Sequence, residues 1–564
     1  MKAFFFTLFL PLAFLLCPAG VFSQAQYAFR VSFTDKHGTA GDLSRPEAFL
    51  SARALARRTR LGILIDSADL PVSVTYTDSV LKFTSGVLHT TSRWQNNMVV
   101  LLTDTTVVAP LRTRSFVTGA QLIARFASPL HAMPVKDGSG RKDLPTAEKA
   151  VSLMKTTGAA YYGDAYDQIH LANGEVLHNK GLRGKGMLIA VLDAGFAGLN
   201  TLGGFDSLRS SGRIIDTFNI DYRVPYVDGY SIHGTEVLST MAGIIPDLFV
   251  GTAPDADYAL YVTEDNSSEQ PFELDNLVAG LERADSVGAD VATISLGYNF
   301  MSIGTKDASL SLADIDGKTT VAARAANTAT AKGMLVVASA GNDGGVSDWG
   351  KVLTPGDADS ALTCGSVNGS KAVSPTSGRG PNAAGVLKPD VCMMGWPGIV
   401  LNSSGTTTAV TGTSIATPEL AGLAACFWAS NLKATPAQLR RVIRESAHLA
   451  ETPDNTAGYG VPDFGKATLS FDSIPDLSQF RVGPNPFTGS LSVWTGARIT
   501  DDLVWRLTDL SGRQLGGGTQ GSTQGGIVYI IPVAADVPAG TYILQLSGGG
   551  SLKSVLVQKM LENH

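Results

Sequence analysis

With 564 residues, 44 % of them hydrophobic and 17 % charged, the chain is too long for one hydrophobic core, and two or three domains are expected. A net charge of −6 gives nucleic acid no electrostatic footing as a partner. The 61 glycines point to many turns and loops.

The chain opens with Met1-Lys2, an apolar run over 3–16 and a small-residue stretch over 18–23, which together read as a secretory signal at 1–23. The apolar run is short for a membrane span. Export implies an oxidising compartment. Removing the signal takes Cys17 with it and leaves Cys364, Cys392 and Cys426, so at most one disulfide can form. Cys364 and Cys392 lie on short strand-like segments (361–367 and 388–393) and are the expected pair, whereas Cys426 sits in an apolar helix and is expected to be buried and inert.

From Tyr27 the apolar residues Tyr27, Phe29, Val31 and Phe33 alternate as in a half-buried strand. Ser44-Arg45-Pro46-Glu47 reads as a helix start, with Phe49, Ala52 and Leu55 inward and Arg53, Arg57, Arg58 and Arg60 mostly outward as a solvated face. Strands at 98–102 and 122–126 complete a small α/β unit in which no nucleophile and base pair up. Residues 134–155, rich in Lys, Asp, Gly and Pro, read as an exposed linker.

Beyond the linker, strands alternate with helices, which is the pattern of a parallel sheet covered on both faces. Strands over 187–192, 290–295 and 334–339 run into Asp193-Ala194-Gly195, Ser295-Leu296-Gly297 and Ala340-Gly341-Asn342, with a helix over 319–332. Open parallel sheets bind ligands off the carboxyl ends of their strands, so Asp193, Ser295 and Asn342 are expected on one rim. His233-Gly234-Thr235-Glu236 opens a helix that reaches about residue 243. Over 411–425 a Gly-Thr approach runs into a small-residue helix with Ser414 in its first turn, beside unpaired backbone N–H groups and the positive end of the helix dipole. Pro418 is tolerated so early in a helix. Gly412-x-Ser414-x-Ala416 nearly matches the nucleophile elbow of α/β-hydrolases, in which the acid and the histidine follow the serine. No Asp lies between Ser414 and His448, and the one later histidine is His564, so the partners of Ser414 are sought upstream.

Val191-Leu192-Asp193-Ala194-Gly195, His233-Gly234-Thr235, Ser295-Leu296-Gly297, Ala340-Gly341-Asn342 and Gly412-Thr413-Ser414-Ile415-Ala416-Thr417-Pro418 resemble the successive blocks of subtilisin-like serine proteases. Ile415, Thr417 and Glu419 depart from the residues more usual there, but none removes a reacting group. The resemblance implies a subtilisin-like α/β domain over 158–470 and a secreted serine endopeptidase. Ser414 would attack the carbonyl, His233 would move the proton, Asp193 would hold the imidazole, and Asn342 would donate to the oxyanion. Ser295, Leu296 and Gly297 would pair with extended substrate as an added strand. It also gives the segment 24–157 the place of an inhibitory α/β propeptide, making the chain a zymogen.

No redox or nucleotide cofactor is implied, and protein or peptide substrates are the expected partners of a monomer. Residues 300–318 read as an insertion at the substrate rim. Within it Asp314-Ile315-Asp316-Gly317 is like the start of a calcium loop, but the later acidic ligand is not in place, so a plain turn is expected and a structural calcium ion stays open. The tail over 475–564 alternates at Leu503, Trp505, Leu507 and at Tyr542, Leu544, Leu546 between Gly-rich turns, the pattern of an antiparallel sandwich. Pro484-Asn485-Pro486-Phe487, Asp509-Leu510-Ser511-Gly512, Gly540-Thr541-Tyr542 and the closing strand over 553–559 resemble the C-terminal sorting domain of bacterial type IX secretion cargo, which implies passage through the periplasm. Two other readings stand beside the protease: an adhesive protein on a dead protease fold, and an enzyme that cuts only its own precursor.

Overall fold

The computed structural model describes residues 25–127, 158–346, 349–471, 480–495, 503–510, 512–520, 528–534, 536–548 and 551–560. The signal-like stretch 1–23 and the linker 134–155 lie outside the described residues, as does 472–479.

The N-terminal unit is a four-stranded antiparallel sheet of β1 (Gln26–Phe33), β2 (Val87–Ser92), β3 (Asn97–Leu102) and β4 (Val117–Phe126), in the order β2-β3-β1-β4. Two longer helices and a single turn at Val108–Leu111 accompany it. The first, α1 (Ala52–Leu61), starts on Ser51, whose hydroxyl accepts from the Ala54 N–H at 3.1 Å, and stops at Gly62, whose φ of 67° ends helical bonding. The second, α2 (Val74–Thr84), starts in the same way on Ser73.

One face of the sheet buries Phe29, Val31, Phe33, Met98 and Val100 with Val80 of α2. The other buries Ala28, Val99, Leu101, Ile123 and Phe126 against Phe272 of the next domain. Both faces are therefore covered, which is why the strict alternation expected from Tyr27 onward is only partly kept. The arginine helix also differs from expectation. A 3-10 turn at Pro46–Ala48 precedes α1, and Arg57 and Arg58 are each only 1 % exposed. Asp285, which both reach, lies more than 200 residues away, and Asp69, which also meets Arg58 at 3.0 Å, lies outside the helix, beyond the reach of a local amphipathic pattern.

The second unit is built on a seven-stranded sheet of β5 (Leu188–Asp193), β6 (Ile214–Asn219), β7 (Asp257–Val262), β8 (Val291–Ile294), β9 (Leu335–Ser339), β10 (Leu362–Val367) and β11 (Val391–Met394). Its order is β11-β10-β9-β8-β5-β7-β6, and every neighbouring pair is parallel. Strand β5 shows why its sequence is a continuous apolar run. Ile189 and Val191 enter the core formed with α3 (His233–Ala242) and α6 (Thr413–Trp428), while Leu188, Ala190 and Leu192 enter the core formed with α4 (Phe272–Val287) and α5 (Val321–Ala331). The fold is thus the subtilisin-like α/β architecture expected from the motif order.

The expected Cys364–Cys392 disulfide does not form: both cysteines are free and buried, as is Cys426. Register explains it. Cys364 pairs with Val391 and Cys392 with Gly365, so the two cysteines are offset by one residue on adjacent strands and alternate onto opposite faces. Cys392 Sγ instead faces the Ala457 carbonyl at 3.4 Å.

The tail forms two antiparallel sheets, one of β12 (Phe480–Gly483), β13 (Ser490–Thr495) and β16 (Val528–Pro532), the other of β14 (Leu503–Asp509), β15 (Gln514–Gln520), β17 (Gly540–Gly548) and β18 (Ser551–Lys559). Leu491, Val493, Leu503, Leu507, Ile531, Leu544 and Leu546 close a core between them. Among the described residues no helix is long and apolar enough to cross a membrane.

Candidate active site

Asp193 is the last residue of β5 and is 0 % exposed. Its Oδ1 accepts from the Ala194 N–H at 2.8 Å and lies 2.7 Å from His233 Nδ1. The imidazole stands at the start of α3, where the His233 N–H is held by Ser231 Oγ at 3.2 Å. Thr235 Oγ1 ties the same turn to the Ala197 carbonyl at 2.8 Å. Close approach of helix to strand depends on Gly234, because a methyl group there would stand 2.3 Å from the Gly195 carbonyl oxygen and 3.0 Å from Asp193 Cβ. The Asp193 charge dominates the electrostatics of the imidazole. It overrides the lowering effect of burial and pushes the pKa up to about 9.

Ser414 is the second residue of α6 and is held from two neighbouring strand ends. Ser295, just past β8, donates its hydroxyl to the Ser414 carbonyl at 2.8 Å. Asn342, three residues past β9, accepts on Oδ1 from the Thr413 N–H at 2.9 Å and from Thr413 Oγ1 at 3.1 Å. A backbone N–H needs an acceptor, so this pair fixes which end of the amide faces Thr413 and leaves Nδ2 free to donate elsewhere. That nitrogen and Ser414 Oγ border the same space: a methyl group at Gly412 would lie 3.7 Å from one and 2.9 Å from the other. Helix α6 has no side-chain cap at Gly412, so first-turn N–H groups remain available to a developing negative charge.

The expected rim therefore exists. Strands β5, β8 and β9 are consecutive in the sheet, and their carboxyl ends bring Asp193, Ser295 and Asn342 to His233 and Ser414. Among the described residues no hydrogen bond joins Ser414 Oγ to the imidazole, and such bonds commonly tighten only when substrate is bound. The Leu296 carbonyl is engaged by Ser339 Oγ at 3.0 Å, and a methyl group at Gly297 would meet Leu353 Cβ at 2.9 Å. The 295–297 segment is thus firmly seated.

Sequence reading passed over the Ser295 hydroxyl as an anchor of the serine backbone, since only the fold places residues 295 and 414 together. It also passed over Glu264, Glu269 and Glu273, which gather in the loop after β7. The acids of the 300–318 insertion are occupied locally. Asp314 Oδ2 accepts from Ser311 and Asp316 Oδ1 from the Lys318 and Thr319 N–H groups, in a segment that forms a short hairpin of Ser302–Ile303 and Lys306–Asp307 and a 3-10 turn at Leu312–Asp314.

Compared with known proteins, the chain matches the model of the subtilase family over residues 184–460 and that of the peptidase S8 propeptide domain of Bacteroidota over 28–138. It is 32 % identical over 323 residues to subtilisin E of Bacillus subtilis (strain 168), covering 53 % of this chain and 73 % of that protein. It is 31 % identical over 279 residues to subtilisin of Bacillus pumilus, covering 48 % and 87 %. Identity to M-protease of Shouchella clausii is 29 % over 277 residues, covering 48 % and 61 %.

Proposed function

The chain belongs to the subtilase family and is a serine-type endopeptidase with a propeptide domain, and from that premise we propose that Asp193, His233 and Ser414 are its catalytic triad and Asn342 its side-chain oxyanion donor. The observation that carries the assignment is the 2.7 Å bond between the buried Asp193 carboxylate and His233 Nδ1, made on the same rim that holds Ser414. That bond puts the Nδ1 proton toward the carboxylate and leaves Nε2 as the base.

His233 takes the proton of Ser414 as Oγ attacks the peptide carbonyl and returns it to the leaving amine. Asp193 stays ionised and stabilises the imidazolium. Asn342 Nδ2 and the Ser414 N–H receive the oxyanion. The backbone of Ser295, Leu296 and Gly297 takes extended substrate as an added strand.

In the same reading the mature enzyme is secreted after loss of a signal at 1–23, the segment 24–157 inhibits it until cleaved, the catalytic domain spans 158–470, and 475–564 addresses the chain to type IX secretion. Labelling by a fluorophosphonate together with turnover of casein tests the assignment. Ser414→Ala and His233→Ala are each expected to abolish casein cleavage and propeptide removal, and Asp193→Asn to slow both by about 10⁴-fold. A processed, active Ser414→Ala protein would sink it, and an unlabelled wild type would favour a dead scaffold.

A further inference from the structure

The connection from β7 to α4 carries Glu264, Asp265 and Glu269, and two of these converge with Glu273 in the first turn of α4. Glu264, Glu269 and Glu273 each present one carboxylate oxygen, and these lie within 4.8 Å of one another. Glu264 is 7 % and Glu273 1 % exposed, while Glu269 faces solvent. The buried pair is rigidly held. Tyr298 Oη and Thr263 Oγ1 donate to Glu264 Oε1 at 2.6 and 2.9 Å, and the Asp265 and Gln270 N–H groups donate to the two oxygens of Glu273 at 2.9 and 3.1 Å.

No lysine or arginine among the described residues forms an ion pair with this group; the main charges acting on Glu264 and Glu273 are those of other carboxylates, with the His233 imidazole the one cationic group that feels Glu264. A second, separate observation concerns Asp221. It is 0 % exposed, its one polar side-chain neighbour is the Asn276 amide, which reaches neither oxygen at full hydrogen-bond geometry, and its charged neighbours are Asp265 and Glu264. Gathering buried carboxylates without a counter-charge costs several kcal/mol per ion, on the order of the desolvation penalty for an unpaired charge. The hydrogen bonds from Tyr298, Thr263 and the Asp265 and Gln270 N–H groups offset part of that cost, and a bound cation would offset much of the rest.

We propose that Glu264, Glu269 and Glu273 bind a hard divalent cation of the calcium class, with Asp221 adding negative charge behind them. An all-oxygen donor set selects calcium, magnesium or manganese over softer metals. Oxygens within 4.8 Å of one another leave a point no more than about 2.8 Å from each, room for the calcium range of about 2.3–2.6 Å, and the open, exposed side at Glu269 suits the larger and more variable calcium shell.

The bound ion braces the wall of the active site. Asn266 Nδ2 in this loop donates to the Ala194 carbonyl, next to Asp193, at 2.9 Å. Tyr298 follows directly on the 295–297 segment, and the Ser302 N–H joins the insertion to the Glu269 carbonyl at 2.9 Å. The end of the propeptide sheet meets the same loop, where the Arg125 N–H donates to Gln270 Oε1 at 2.9 Å. An ammonium group from a substrate side chain is also a cation, and the test separates the two.

The experiment uses the full chain carrying Ser414→Ala, so that no autolysis intervenes, and follows calorimetric binding and Tm with calcium, magnesium or chelator. The parent should bind one calcium ion at this site and gain Tm with calcium more than with magnesium. Glu264→Gln with Glu273→Gln should lose that binding event while its metal-free Tm equals or exceeds that of the metal-free parent, because the repulsion has gone. Should the double variant fail to fold, Glu269→Gln, at an exposed position, should still weaken calcium binding by more than about tenfold through loss of ligand charge. Equal calcium binding in parent and variants overturns the proposal. So does a parent that binds no calcium while the active-chain variants lose preference for Lys or Arg substrates, which would assign the cluster to substrate.

Discussion

At the scale of single residues, the proposed triad makes the state of His233 set when the enzyme works. Only the neutral imidazole can take the Ser414 proton, so kcat/KM rises with pH as His233 loses its own. The Asp193 charge moves that rise from the ordinary value near 6.5 toward about 9, against the effect of burial. The acid limb of the pH profile should therefore lie well above 6.5, giving an alkaline enzyme. Asp193→Asn removes the charge and leaves burial, so its residual activity, lower by about 10⁴-fold, should show the limb at or below about 6.5. Profiles of kcat/KM against pH for both proteins check this, and an unmoved limb would take Asp193 out of contact with the base.

Asn342 makes a different kind of contribution. Its Oδ1 is already occupied by Thr413, so in the proposed mechanism only Nδ2 meets substrate, and it meets full negative charge only in the transition state. Asn342→Leu should keep KM nearly unchanged and lower kcat by about 10²- to 10³-fold, roughly 2.7 to 4 kcal/mol, the magnitude measured for the oxyanion asparagine of a subtilisin. A raised KM at constant kcat would make Asn342 a ground-state binding residue.

At the scale of elements, the seam between propeptide and protease is held by charge as much as by Phe126 against Phe272. Asp285 of α4 is 0 % exposed and takes guanidinium groups from Arg57, from Arg58 at 3.0 Å and from Arg93 at 2.8 Å. Arg53 and Arg60 reach Asp290, and Arg30 reaches Asp275 at 2.5 Å. Breaking such a buried network from one side strands the other. Asp285→Ala in the Ser414→Ala chain should therefore cost about 3–5 kcal/mol in urea unfolding of the zymogen. A loss below about 1 kcal/mol would mean that the seam behaves as a surface ion pair.

This seam also marks the limit of what the sequence discloses. The strands ending at Asp193, Ser295 and Asn342 and the helices starting at His233 and Ser414 are readable because apolar runs and glycines act locally. Arg57 and Arg58 are not, because Asp285, which both reach, is distant in the chain, and Asp69 beside Arg58 lies outside the period of α1. Cys364 and Cys392 fail for the same reason, since each segment is a strand as expected but their relative register is a tertiary fact. The acid cluster is hidden likewise: Glu264, Glu269 and Glu273 look like ordinary surface residues until the β7–α4 turn folds them together.

At the scale of the whole molecule, the question is whether the tail belongs to the enzyme. Its core is made from its own strands, with residues from Phe487 to Val557 packing on one another, whereas the catalytic cores draw on nothing beyond Ala467. None of the groups that shape the rim comes from it. A unit with a closed core beyond a connecting stretch at 472–479 should be removable without unfolding its neighbour. A chain ended after Phe471, where the last helix of the catalytic part stops, is therefore expected to mature and cleave casein at the full-length rate when refolded. In its own host the same chain should accumulate in the periplasm if 475–564 is the sorting signal. Normal secretion of the truncated chain would refute the sorting role, and loss of activity in vitro would make the sandwich part of the enzyme.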